Sequence, residues 1–158
     1  MSLLHLFTLI ENSALGDTIR TSSWLFPFIE AVHLLGLAVI GGAVLIVDLR
    51  LFGIGLRRQS VAQLAQDAQR WLIISLMVMI ATGSLLFTSE AIKCYYHPAF
   101  WMKMTSLSLA ILFTFTVHRK VAMADETRVR PIWCKLVALV SVILWSGVGI
   151  GGRWIGFS

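Results

Sequence analysis

His33 is the residue whose setting most demands a chemical explanation. It is the one ionisable side chain in the stretch Ala31–Val47, which is otherwise apolar or glycine. An ionisable group there is expensive in a bilayer unless something pairs with it, so its presence points to a site. Glu30 lies one helical turn earlier, on a neighbouring face. Counting ~1.5 Å per residue from Pro27, His33 lies ~9 Å inside the span, and Lys103, counted from Pro98, lies ~8 Å inside the same end. His97 stands at that rim, and Arg153 returns to it near the end of the chain.

An imidazole, cations and a glycine-rich helix are what a b-type haem requires together. Its iron takes a histidine nitrogen, its propionates take Arg or Lys, and its flat face needs small residues such as Gly36, Gly41 and Gly42. On this reading His33 is the axial ligand, and Lys103 and Arg153 serve the propionates. A plainer reading has His33 hydrogen-bonded to Glu30 or to a Ser or Thr of another helix, and the spacing leaves both open. His97 is the cheaper candidate for a second axial ligand. His118, ~30 Å along the span from Pro98, reaches the iron only if helices are offset or another protomer supplies it. Within the chain His118 reads first as a solvated interfacial histidine and second as a partner of Asp48, which lies near the same end of an antiparallel span, and no second histidine is available there for a bis-histidine haem. His5 reaches the site only if the N-terminal segment folds over the bundle mouth.

Copper is the alternative. Met77, Met79, Met102 and Met104, with Cys94 and His97, supply soft ligands. Alternate methionines do not share a helix face, however, and two ligands fall short of a site. Cys134 reads as a small buried residue.

The elements that must carry these residues are membrane spans. The 158-residue chain is 58% hydrophobic and 13% charged, against about 25% charged in soluble chains. Apolar runs predict spans over about 23–50, 70–89, 98–118 and 132–152. The three prolines fall at or just inside the starts of three of them. Residues 2–20 repeat Leu and Ile at helical spacing among polar residues, which predicts one interfacial amphipathic helix, bent or broken at Gly16. Glu90–His97 reads as a short loop. The fold class expected is therefore all-α: a single integral-membrane domain, an up-down four-helix bundle with an N-terminal interfacial helix.

A net charge of +5 would suggest nucleic acid in a soluble chain. Here the basic residues flank spans, so the partner is the lipid bilayer and nucleic acid is excluded. Arg50, Arg57, Arg58 and Arg70 flank the first connection; Arg119, Lys120, Arg128, Arg130 and Lys135 flank the third. The positive-inside rule puts both connections in the cytoplasm and both termini outside, in a bacterial inner membrane. No cleavable signal is expected from the first residues. No P-loop, HExxH or dinucleotide-binding glycine motif is present, so soluble enzyme classes have no footing.

Four pieces of the sequence, FPFIEAVHLLGLAVIGGAVLIVDLRLFGIGL, ATGSLLF, HPAFWMK and GGRWIGF, resemble a family of small bacterial four-helix membrane proteins of uncharacterised function. The first-span histidine, the Trp-x-Lys opening of the third span and its closing histidine more distantly resemble two other groups. One is the haem-containing protoporphyrinogen oxidase of bacteria, which implies a b-type haem and roles for His33, Lys103 and His118. The other is the membrane domain of copper-resistance protein D, which implies copper passage. Lys103 follows Trp101 more closely than in the oxidase pattern, and His118 lies a turn further on. The resemblance therefore implies a haem more directly than a substrate.

The expected function is electron transfer or redox sensing by a haem b near the outer face. The first alternative is copper transport or tolerance; the second is a structural subunit without cofactor. Glycines in the first and last spans point to a homo-oligomer or a larger redox complex.

Overall fold

The structure is a computed structural model that describes residues 3–55, 59–124 and 129–156. Helices α1 (Leu3–Glu11) and α2 (Ala14–Thr21) precede α3 (Leu25–Leu51) and α4 (Val61–Ser89). A short α5 (Ala91–Tyr96) leads into α6 (Pro98–Phe113), which runs through a π-helical turn (Thr114–His118) into α7 (Arg119–Met123). The last helix is α8 (Pro131–Gly156). The helices α3, α4, α6–α7 and α8 are each long and apolar enough to cross a membrane. The protein is an all-α, membrane-embedded four-helix bundle.

Helix α3 shows how the bundle is built. Pro27 sits in its first turn, where a missing N–H costs nothing, and Ser22 Oγ accepts from Leu25 N at 3.3 Å. Its buried residues are Ile29, His33, Gly36, Ile40, Ala43, Val44, Val47, Asp48 and Leu51. Steps of four and three give a stripe of coiled-coil period, which two nearly antiparallel helices bury together. The opposite face carries Leu34, Leu35, Leu45, Ile46 and Leu49, exposed and apolar. Such a face suits lipid, and a helix apolar all round is a buried or spanning one.

Without water between the helices, association rests on close contact, so small residues matter at the seams. A methyl at Gly36 would lie 3.5 Å from Ser75 O of α4. Methyls at Gly147 and Gly151 would lie 2.9 Å from Ser106 Oγ and 3.1 Å from Lys103 Cβ of α6. These glycines are spent within one chain, whereas Gly41, Gly42 and Gly149 meet nothing nearby. Around the bundle the order is α4, α3, α8, α6. The fourth seam is different: α4 scarcely touches α6, and meets that span mainly through α7 at the Asp48 end.

Three expectations need correction. The N-terminal segment is two helices, broken at Asn12–Ser13, because Ser13 Oγ accepts from Gly16 N at 3.2 Å and starts α2 afresh. Gly16 itself lies inside α2, packed so close to α4 that a Cβ would strike Thr88 O. The segment 90–97 is helical over Ala91–Tyr96, and Glu11 Oε2 accepts from Ile92 N at 2.6 Å. The third span continues past His118 to Met123. Of the flanking cations, Arg57, Arg58 and Arg128 lie outside the described residues.

Candidate functional site

The stripe of α3 aims His33, 7% exposed, at α4 and α6. On α4, the Thr82 hydroxyl donates to Val78 O at 2.7 Å. A hydroxyl has one proton, so toward the ring Thr82 Oγ1 accepts: His33 Nδ1–H donates to it at 2.9 Å. That fixes the tautomer and leaves the Nε2 lone pair on the far side of the ring. Lys103 Nζ of α6 lies 3.4 Å from Nε2 and donates to it. Gly83 gives the ring its seat, since a Cβ there would be 3.0 Å from His33 Cε1.

Two cavities flank this pair. One, of about 270 Å³, lies between α4 and α6 where those helices stand apart. Its rim residues Ile80 and Met104 are exposed on the apolar flank of the bundle, so it opens toward lipid. The other, of about 310 Å³, reaches the end of the bundle and carries Glu30, Glu90, Lys93 and Cys94. His33, Gly83, Phe87, Phe100 and Lys103 belong to both walls. Phe87 and Phe100 stack with centroids 5.7 Å apart and planes 14° from parallel. Phe7 of α1 packs edge-on against Phe87 at 5.1 Å, which holds α1 over this end. Burial, then the Glu90 carboxylate, push the Cys94 thiol up to about 11.

His33, Lys103 and Glu30 therefore come together as expected at one end. His33 gives its Nδ1–H to Thr82 and not to Glu30. The other expected residues stand elsewhere. His97 caps α6, its Nδ1 accepting from Ala99 N at 3.2 Å, and is on neither cavity wall. Arg153 is exposed on α8 and also off both walls, and His5 is exposed on α1. Lys93, paired with Glu90 at 3.7 Å, lines the larger cavity beside Lys103. Among the described residues no three His, Cys, Asp or Glu side chains form a metal-binding group, so Cys94 and His97 gain no third such ligand.

His118 belongs to a second polar layer. Its Nε2–H donates to Asp48 Oδ1 at 2.7 Å, with Asp48 fully buried. One turn away, Trp145 Nε1 donates to Thr114 Oγ1 at 3.2 Å. The π turn brings Thr114 and His118 both inward. Asp48 and His33 share the α3 stripe, and their separation at ~1.5 Å per residue puts the layers roughly 22 Å apart. His118 cannot reach an iron on His33 within one chain.

Sequence reasoning missed Thr82, Gly83, Phe87 and Phe100 as neighbours of His33. The run Thr82-Gly83-Ser84 is a small polar patch in an apolar span, and its level in the bundle matches that of His33. It was the available signal.

These features define a class: a four-helix membrane-embedded bundle with a buried imidazole facing a cavity at one end. The chain belongs to DUF6644, a family of unknown function, whose profile matches residues 6–158. No curated protein and no solved structure matches it.

Proposed function

We propose that the His33 cavity binds a b-type haem and that the protein transfers electrons or senses redox state. The observation that carries this is the His33 ring itself. Its Nδ1–H is held by Thr82, and its Nε2 lone pair is turned away from Thr82 to meet the Lys103 ammonium in a buried, cavity-flanked position. A metal-ligating histidine is anchored in this way, through the other nitrogen. The cavity walls suit the group: glycine under the ring, stacked phenylalanines, and Lys93 as a cationic partner for a propionate. When bound, haem supplies a one-electron couple. His33 and the surrounding burial then set its potential.

The cation-rich end with Arg50, Arg70, Arg119, Lys120, Arg130 and Lys135 supports an inner-membrane placement with that end in the cytoplasm, termini and haem toward the outside. Gly41 and Gly42, open on α3, support a homo-oligomer or a larger redox complex.

Copper is the second reading, favoured by one observation. Met79 and Met104, from different helices, line the same cavity as His33. Thioether and imidazole together suit cuprous ion.

The test is the visible spectrum of detergent-purified protein from haem-supplied cells, oxidised and then reduced with dithionite. The expected result is a reduced b-type spectrum that His33→Ala abolishes. A colourless wild type overturns the haem reading. Bound copper in that sample, lost in Met79→Leu, then supports the second reading, and a sample with neither supports a structural subunit.

A further inference from the structure

We infer that Lys103 is the axial ligand opposite His33, an inference that rests on the haem reading above. Lys103 Nζ already faces His33 Nε2 at 3.4 Å. A metal–nitrogen bond is about 2.0 Å, so an iron between the two nitrogens needs them about 4 Å apart. The required opening is under about 1 Å, within reach of a four-carbon lysine stem.

The space around the contact has the matching shape. A porphyrin threaded on the His33–Lys103 axis spreads to both sides of it. The cavities of about 270 and 310 Å³ both reach this contact and have both residues on their walls. Each ligand is also seated on glycine. Gly83 lies under the imidazole, and Gly151 and Gly152 of α8 lie along the lysine stem, where a Cβ at Gly152 would be 3.4 Å from Nζ. Larger side chains at these places would press on the imidazole and on the lysine stem and displace both nitrogens.

The other nitrogen ligands are elsewhere. His97 Nδ1 is committed to capping α6, and His118 to Asp48 in the distant layer. Among the described residues no carboxylate lies within ion-pair distance of Lys103. Ligation exchanges one bond for another: an ammonium N–H proton leaves to water through the cavity lined by Glu30 and Glu90, and the freed lone pair binds iron. The iron's oxidation state does not change.

The experiment is electron paramagnetic resonance and near-infrared magnetic circular dichroism of the ferric, haem-loaded full chain. Wild type is expected to be low-spin with a histidine–amine charge-transfer band. Lys103→Leu is expected to keep haem but turn high-spin and five-coordinate, and added methylamine to restore the low-spin signal. A Lys103→Leu protein with an unchanged low-spin spectrum overturns the lysine ligand and leaves the haem reading standing. A histidine–histidine or histidine–methionine band in the wild type also overturns it, even if the variant does not fold. A wild type that holds no haem overturns both.

Discussion

Two imidazoles sit deep in the same bundle, and their surroundings make opposite use of them. His118 gives its Nε2–H to the fully buried Asp48, and the void beside it is only about 40 Å³. His33 gives its Nδ1–H to a hydroxyl and accepts at Nε2 from Lys103 Nζ, with cavities of about 270 and 310 Å³ around it. Between the layers lies an apolar cluster of Ile40, Val44, Leu72, Met79, Trp145 and Val148. The partner decides the role. A buried carboxylate ties an imidazole into a structural pair, whereas a hydroxyl orients it and leaves its other nitrogen facing an exchangeable lysine beside open volume. The helices follow the same division: α7 closes against α4 beside His118, and α6 stands off from α4 beside His33.

The largest effect should come from breaking the closed layer. Asp48→Leu strands His118 in the bundle core, and removing one member of a buried pair costs about 3–5 kcal/mol. The double change Asp48→Leu, His118→Phe removes both members and should recover most of that loss. Unfolding by SDS in mixed micelles measures both. A single variant as stable as wild type would show that the pair is not structural. His33→Ala should cost less, about 1–3 kcal/mol, because Thr82 keeps its own bond to Val78 O and only Lys103 Nζ loses an acceptor, beside open cavities. Comparable losses at the two histidines would erase the distinction between the layers.

A finer test lies in the orienting hydroxyl. Thr82→Val keeps the shape and removes the acceptor for Nδ1–H. Loss of such a supporting contact typically weakens a metal site about 10–100-fold. Haem titration of the apoprotein should show that drop while unfolding moves by about 1 kcal/mol. Unchanged affinity would mean that Thr82 does not hold the ring for a ligand.

Part of this contrast between the layers is legible in the sequence. Prolines and apolar runs place the spans, and counting residues along antiparallel spans brings Asp48 to the level of His118 but equally allows a solvated interfacial histidine, whereas His118 is buried and paired. Neither signal tells which faces of the spans meet. In a soluble helix the apolar stripe marks the core, but on α3 the lipid face with Leu34, Leu35 and Leu45 is as apolar as the buried stripe. The gap between α4 and α6 is likewise a property of two helices and leaves no mark in either. Glu11 reaching Ile92 N and Phe7 reaching Phe87 are contacts far apart in sequence. Residues 2–20, read alone, have only amphipathic spacing to offer, and the fresh start at Ser13 is hidden in it.

The smallest expected effect gives a direct report on the open layer. Cys94 lies on the wall of the larger cavity, with its thiol pushed up to about 11 by burial and by Glu90. Only the thiolate alkylates, and below the pKa its fraction rises about tenfold per pH unit. A small neutral alkylating reagent should therefore modify Cys94 slowly at neutral pH, with a rate that climbs steadily from about pH 8 to about pH 10. In Cys134→Ser protein the signal comes from Cys94 alone. A ligand that fills the cavity should slow the reaction at every pH without flattening its slope. A rate already level at about pH 8 would show that the thiol is not held neutral. A rate indifferent to bound haem would place the haem outside this cavity, and the contrast between the two layers would then rest on His118 and Asp48 alone.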